Sequence, residues 1–159
     1  MAYPNTNTKP KKLRVIEALK TTLETITGSG FKHTIKRVHL FDGDEVVLGD
    51  SMPAIVIIPE SGDESDTRLM CGAVEHYVRV TCTIASRVTP GSTQYKEDLH
   101  WLVADVTKAL EADSQLGGEA VSALISEDQV YDVGSNEPVA VAEVRVDIRY
   151  RHTVGDPSA

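Results

Sequence analysis

Histidines and cysteines are the first residues to examine for chemistry, because their nitrogen and sulfur atoms bind metals and serve in catalysis. The five histidines are scattered: His33, His39, His76, His100 and His152. Cys71 and Cys82 are eleven positions apart and form no Cys-x-x-Cys unit. The sequence therefore predicts no metal site, no cofactor and, in a reducing compartment, no disulfide.

Two short segments have some features of ligand-binding loops. The segment Asp42-Gly43-Asp44-Glu45 begins like a calcium loop but lacks the further acidic ligands and the closing Glu. Gly28-Ser29-Gly30 is not followed by Gly-Lys-Ser/Thr and has a helical pattern, not a strand, before it. We interpret the first segment as a turn and the second as a helix stop. With no nucleophile and base paired in sequence, we predict no catalytic residues and no enzyme activity.

Charged residues form the main candidate interface. They occupy every second position of the last apolar-alternating segment, which places them on one strand face: Glu143, Arg145, Asp147, Arg149 and Arg151. Arg79 alternates in the same way in an earlier segment. The row could pair with acidic residues of a neighbouring subunit. The alternative, which the ordinary behaviour of surface charges favours, is pairing within the sheet or simple solvation.

Two other charged segments are candidates for docking to partner proteins. The first is an acidic loop and the second is a basic stretch near the N-terminus: Asp63, Glu64 and Asp66, and Lys9, Lys11 and Lys12. Solvated, flexible segments are the alternative that such compositions favour.

Two amphipathic helices are predicted to support these residues. Apolar side chains recur every three or four positions from Lys11 to Thr27 and again from Gln94 to Ala112. The first helix is expected to end at Gly28-Ser29-Gly30 and the second at the segment 113–118. Trp101 lies about one residue off the second apolar stripe, where it is either an interface anchor or, as is more common, a side chain packed at the core edge.

Several segments have strand patterns. Ile35–Leu40 and Glu45–Leu48 are expected to form a small hairpin, and the proline-bounded run Ala54–Ile58 a buried strand in the sheet centre. Period-two alternation predicts long strands in 74–88 and 139–152. A further strand is expected at 120–125, either ending there or continuing through Val130-Tyr131, and it would form an antiparallel hairpin with 139–152. The predicted fold class is α+β, with a mostly antiparallel sheet of about four or five strands and both helices on one face.

Composition sets the class of protein. The chain has 159 residues, 41% of them hydrophobic and 25% charged, which is typical of one globular domain. We expect a flexible arm at residues 1–10 and a single domain at 11–159, with no secretory signal, no membrane span and a host-cytoplasmic site of assembly.

The charge is unevenly distributed along the chain. Residues 1–37 hold eight Lys/Arg against two Glu (+6), and the remainder holds eight against twenty-two (−14). An acidic body argues against a nucleic-acid-coating protein. It would suit a channel wall that DNA slides past, although an acidic, solvated surface is the more ordinary explanation.

The order of these segments resembles that of the tail terminator, or tail completion, proteins of long-tailed bacteriophages. The resemblance covers most of the chain, and the order and spacing of the segments carry it. They are the N-terminal helix, the run from Pro53 to Pro59, the strand around Tyr77–Ile84, the second helix, Asp113-Ser114-Gln115-Leu116-Gly117-Gly118, and the ending from Tyr150 to Pro157.

The resemblance implies a structural virion protein. Proteins of that family assemble as a hexameric ring on the last ring of the tail tube, stop tube polymerisation and present a surface to the head connector, with DNA passing through the channel without specific binding. Alternatives are another neck or head–tail joining protein, a small cytoplasmic enzyme, or a module that binds a peptide at a sheet edge.

Overall fold

The fold is known from a computed structural model, which describes residues 9–43, 48–60, 67–68, 71–89, 91–132 and 138–156. Two long helices, α1 (Lys11–Glu24) and α2 (Tyr95–Ala112), contribute apolar stripes to one core. A short 3-10 turn, Leu116–Gly118, follows α2. No helix in the described ranges is long and apolar enough to cross a membrane.

Six strands of the described residues form one mixed sheet. In chain order they are β1 (Arg37–Leu40), β2 (Ala54–Pro59), β3 (Thr67–Arg68), β4 (Ala73–Arg87), β5 (Ser122–Val130) and β6 (Val139–Thr153). The spatial order is β1-β2-β4-β6-β5, with the two-residue β3 paired to one end of β4. Only β1 and β2 are parallel; every other described pair is antiparallel. The predicted α+β fold class is confirmed.

The core lies between the helices and one face of the sheet. Period-two alternation sorts the long strands: Val78, Val80 and Cys82 of β4 are buried, as are Val144 and Val146 of β6. These side chains form one cluster with the apolar stripes of α1 and α2. Because both helices pack on this side, the opposite face of the sheet carries the charged positions of β4 and β6.

The predicted strands agree with the structure except in the β1–β2 region. The buried strand β2 lies inside the sheet between β1 and β4, while β4 occupies the middle position. The strand in 35–40 has β2 as a parallel neighbour. Of the second arm of the predicted hairpin, 45–47 lie outside the described residues, and Leu48 belongs to no strand.

The turn after α2 explains why the Leu-Gly-Gly sequence follows this helix. Leu116 is buried at φ 49° and Gly117 has φ 65°, a left-handed backbone that favours glycine. Both oxygens of Asp113 accept the N–H of Gly117, at 2.9 and 3.0 Å. The chain therefore reverses within a few residues and enters β5.

Candidate assembly interface

The helix-free face of the sheet brings the predicted charged row together with residues of β4 and β5. We call this surface the charged face and define it by the following residues: Glu75, Arg79, Glu127, Glu143, Arg145, Asp147, Arg149 and Arg151. Register places Glu75 opposite Arg151, Arg79 opposite Asp147 and Glu127 opposite Arg145. Opposite charges thus face one another across strands, the arrangement that stabilises a sheet.

Arg79 and Asp147 form the best-defined ion pair of the charged face. Arg79 Nε donates to Asp147 Oδ1 at 2.7 Å and Arg79 Nη2 to Oδ2 at 3.1 Å. This two-point contact lowers the pKa of Asp147 despite partial burial, which acts in the opposite direction. The same contact raises the pKa of Arg79. Both groups therefore stay charged at neutral pH, and the pair holds β4 against β6.

Glu75 is the most deeply buried carboxylate of the charged face. Arg151 Nε donates to its Oε2 at 2.7 Å, and Arg149 Nη1 lies 3.8 Å from Oε1. A buried carboxylate is costly unless cations or donors compensate it, and here two arginines do so. The arrangement fixes the end of β4 to β6.

The remaining members of the charged face are paired across the outer strands. Arg145 contacts Glu127 of β5 and lies 3.6 Å from Glu60. Glu143 accepts the Tyr131 hydroxyl at 2.7 Å, and this contact raises the pKa of Tyr131. Within one chain, these contacts therefore correspond to the alternative that the sequence left open, in which the charged residues pair within the sheet.

The other candidate docking residues are not brought onto the charged face. Lys9 pairs with Glu17, and Lys11 contacts Glu119 at 2.7 Å, so Lys11 is already held in the domain. Lys12 also lies within α1. The acidic loop residues Asp63, Glu64 and Asp66 lie outside the described residues, as do positions 1–8 of the predicted arm.

The histidines and cysteines form no metal cluster in the described part of the chain. His76 stacks on Tyr150 and on His152, with ring centroids 5.2 and 4.6 Å apart. Cys82 is fully buried, and burial raises its pKa to about 12. Cys71 is exposed, and neither thiol is in a disulfide.

The structure contains an apolar groove that the sequence analysis did not predict. It lies between α2 and β5, has a volume of about 490 Å³, and is lined by Leu110, Glu111, Ala123, Leu124 and Ile125 among others. Leu124, whose side chain lies on the opposite side of β5 from those of Ala123 and Ile125, is 62% exposed. Alternation in 120–125 was a signal for the strand, but nothing in the sequence indicated that β5 would be an edge strand next to a helix.

Asp105 is another feature that the sequence analysis did not single out. It is buried on α2, where its Oδ1 accepts the N–H of Lys32 at 2.9 Å and its Oδ2 accepts the N–H of His33 at 2.8 Å. The signal was present, because an acidic residue three positions after Leu102 lies on the apolar stripe. Trp101, 46% exposed, has the ammonium of Lys32 over its ring at 5.4 Å.

Comparison with known proteins finds likenesses in structure. No protein-family model and no curated protein sequence matches the chain. A chain from the virion of a native gene transfer agent particle is similar in structure, with a TM-score of 0.41 and 10% sequence identity; the match covers 87% of this chain and 92% of that one.

Proposed function

We propose that this protein is a structural, non-enzymatic component of a phage-like virion. It acts as a ring that caps the tail tube, stops tube polymerisation and meets the head connector. The observation that carries the proposal is the order of elements: α1, the proline-bounded strand β2, the long strand β4, α2 with its Leu-Gly-Gly turn, and the long strand β6. This order is the one on which the resemblance to tail terminators rests.

The charged face suits such a part. Its ion pairs tie β4, β5 and β6 together and make the sheet a stiff wall. Because the described charges on it are largely matched, it offers little net attraction for a polyanion, and the chain as a whole is acidic at −8. A wall of this kind would let DNA pass through a ring without binding it specifically.

Ring closure needs two different patches on each subunit, because a rotation other than a twofold joins unlike surfaces. We infer a homo-oligomer, hexameric as the resemblance implies, whose partners are the tail tube protein and a head connector or completion protein. Its location would be the tail or neck of the particle after assembly in the host cytoplasm.

A tube-capping assay tests the proposal. The protein is added to polymerising tube protein from the same particle, and tube lengths and ends are measured by negative-stain microscopy. We expect shorter tubes that end in a ring with an open centre, and light scattering that gives a discrete mass. Tubes of unchanged length with bare ends would contradict the proposal.

A second candidate is another head–tail joining protein of the neck. The same elements would serve it, since a joining ring also needs two complementary patches and a channel. Binding to isolated connectors, with no effect on tube length, would favour this alternative over tube capping.

A further inference from the structure

The two edges of the sheet differ in charge. β1 and β5 stand at opposite ends of the strand order. Lys36 and Arg37 lie at the β1 edge, whereas Glu127, which also contacts Arg145, and Asp128 lie at the β5 edge. Over the described ranges, β2 is the one strand paired with β1, and β6 is the one strand paired with β5. Ala123 of β5 also donates its N–H to Ser114 O at 2.7 Å, so the open part of the β5 edge begins after Ala123. The chain therefore carries two unlike edges.

The strand directions allow these edges to meet. β5 runs antiparallel to β6, β6 antiparallel to β4, and β4 antiparallel to β2, which is parallel to β1. β1 and β5 consequently run in opposite directions. If a second copy is related by rotation about an axis roughly along the strands, its β1 lies antiparallel to β5 of the first copy. A hydrogen-bonded ladder can then form along the part of β5 after Ala123, with an irregularity at the register shift between Ile125 and Glu127.

Each edge also exposes one large apolar side chain. Phe41, just after β1, is 40% exposed, and Leu124 of β5 is 62% exposed. Phe41 still donates its N–H to Ile57 O at 2.9 Å, so the ladder reaches it. Counting alternately from buried Val38, Phe41 lies on the same helix-free side as Leu124, which pairs with Asp147 of the charged face.

A small stagger brings these two side chains together. Across the sheet Phe41 is level with Arg145, whereas Leu124 is opposite Asp147, two residues further along β6. A two-residue shift is about 7 Å and keeps every side chain on its face. Across five strands about 4.8 Å apart, it corresponds to strands tilted by roughly 15° from the ring axis.

We propose that adjacent copies of this chain join edge to edge, with β5 of one copy paired antiparallel to β1 of the next. Phe41 packs on Leu124, and His39 and Arg37, which precede it, lie along Glu127, which Arg145 of its own chain also contacts. The partner is thus a second copy of this chain. The inference rests on the proposed function for the ring, but the interface it names is separate from the charged face.

Cysteine cross-linking tests the interface. In a Cys71→Ser background, Phe41→Cys and Leu124→Cys are made singly and together, and buried Cys82 remains as the unreactive native thiol. Val154→Cys, at an exposed apolar position in the turn after β6, is the matched control. The proteins, alone or mixed in equal amounts, are treated with a short thiol-to-thiol cross-linker and separated on a denaturing gel.

Edge pairing predicts a covalent dimer from the Phe41→Cys and Leu124→Cys mixture, at least tenfold more abundant than from either variant alone or from Val154→Cys mixed with Leu124→Cys. The double variant should give a ladder of multimers. A dimer from one variant alone would show a twofold contact and overturn the inference, as would equal cross-linking with Val154→Cys. If Phe41→Cys fails to fold, His39→Cys with Glu127→Cys tests the same register.

Failure of this inference is distinguishable from failure of the proposed function. A ring seen by microscopy without the Phe41–Leu124 cross-link overturns edge pairing and leaves tube capping intact. No cross-link and no ring at any concentration also overturns edge pairing, and the tube-capping assay then decides the function by itself. A cross-linked ladder together with uncapped tubes supports edge pairing and contradicts tube capping.

Discussion

Asp105 shows how much one buried side chain can organise. Its carboxylate accepts two backbone N–H groups of the segment between α1 and β1 and lies 3.2 Å from Nδ1 of His33. Removing the acceptor leaves these donors without their partner in a partly buried place. Asp105→Ala should therefore lower the free energy of unfolding by about 2 kcal/mol, measured by urea denaturation.

Glu111 supplies the control for Asp105, since it lies on the same helix but is exposed. Glu111→Ala should change the free energy of unfolding by less than about 0.5 kcal/mol. Equal effects of the two substitutions would show that helix propensity, and not the bond to the segment at 32–33, accounts for the loss.

The two thiols should differ sharply in reactivity. Burial raises the pKa of Cys82 to about 12, so it is protonated and inaccessible at neutral pH, whereas Cys71 is exposed. We expect one thiol per chain to react with a chromogenic disulfide reagent in the folded protein and two after denaturation in urea. In Cys71→Ser, the fast reaction should vanish; a persistent fast thiol would contradict the burial of Cys82.

The Arg79–Asp147 pair predicts a pH dependence. The pKa of Asp147 is lowered below its ordinary 3.8, mainly by the hydrogen bond from Arg79. The stability that this pair supplies is therefore complete above 3.8 and is lost as the pH falls through the lowered folded-state value. Arg79→Gln should raise the pKa of Asp147 in the folded protein, measured by NMR titration of its carboxyl carbon.

Arg87 provides the comparison for this titration. It pairs with Asp50 at another place on the surface, so Arg87→Gln should leave the pKa of Asp147 unchanged. If both substitutions shifted it equally, the general loss of positive charge would explain the effect, and the specific hydrogen bond would not.

At the scale of elements, the sequence predicts what depends on local periodicity. The stripes of α1 and α2 and the alternation in β4 and β6 follow directly from side-chain spacing, and the structure confirms them. What the sequence could not supply is lateral order. Parallel pairing of β1 with β2 depends on contacts distant along the chain, and the short β1 run contains no signal for the direction of its neighbour.

The turn between α1 and β1 offers a prediction at this scale. Gly28 and Gly30 have nearly equal backbone angles, φ 82° and 80°, but a Cβ on Gly28 would lie 2.7 Å from Thr34 Oγ1, whereas one on Gly30 would meet nothing within 4 Å. Gly30→Ala should therefore cost about 1 kcal/mol, the penalty for a left-handed residue. Gly28→Ala should cost about 1 kcal/mol more, because the neighbour must also move.

Thermal melts of the two alanine variants check this difference. In the Gly28→Ala background, Thr34→Ala removes the oxygen that the new Cβ would meet and should restore the additional stability lost. Thr34→Ser keeps that oxygen and should restore little. Equal costs at the two glycines would mean that the backbone angle alone sets the requirement.

For the molecule as a whole, the structure adds surfaces that the sequence does not show. From the sequence, the alternating charges of β6 could contact a neighbouring subunit or, as surface charges more commonly do, pair within the sheet or stay solvated. In the structure, Glu75, Arg79 and Glu127 of the same chain lie opposite them. The two sheet edges, by contrast, emerge only when the strand order is known. A basic segment and an acidic segment more than eighty residues apart in sequence then stand at opposite ends of one sheet.

Edge pairing between unlike surfaces makes a prediction that a twofold contact would not. A variant with a reversed acidic edge, Glu127→Lys with Leu124→Lys, keeps a functional β1 edge; a variant with a reversed basic edge, Lys36→Glu with Phe41→Glu, keeps a functional β5 edge. Each alone should be monomeric, since it can make no complete contact with itself. Mixed, they should form a heterodimer through the two unaltered edges and stop there.

Light scattering of the mixture and of each variant measures this outcome, with circular dichroism to confirm that both variants fold. The substituted Lys residues of one variant and Glu residues of the other carry opposite charges, so the two altered edges could attract each other. Scattering at high salt must therefore be compared with scattering at low salt. Contact through the altered edges would weaken at high salt as the new pairs are screened. The unaltered edges keep their backbone ladder and the Phe41–Leu124 contact at high salt, so a heterodimer with no higher species is what the unlike-edge geometry requires there. Homodimers of either variant would contradict it.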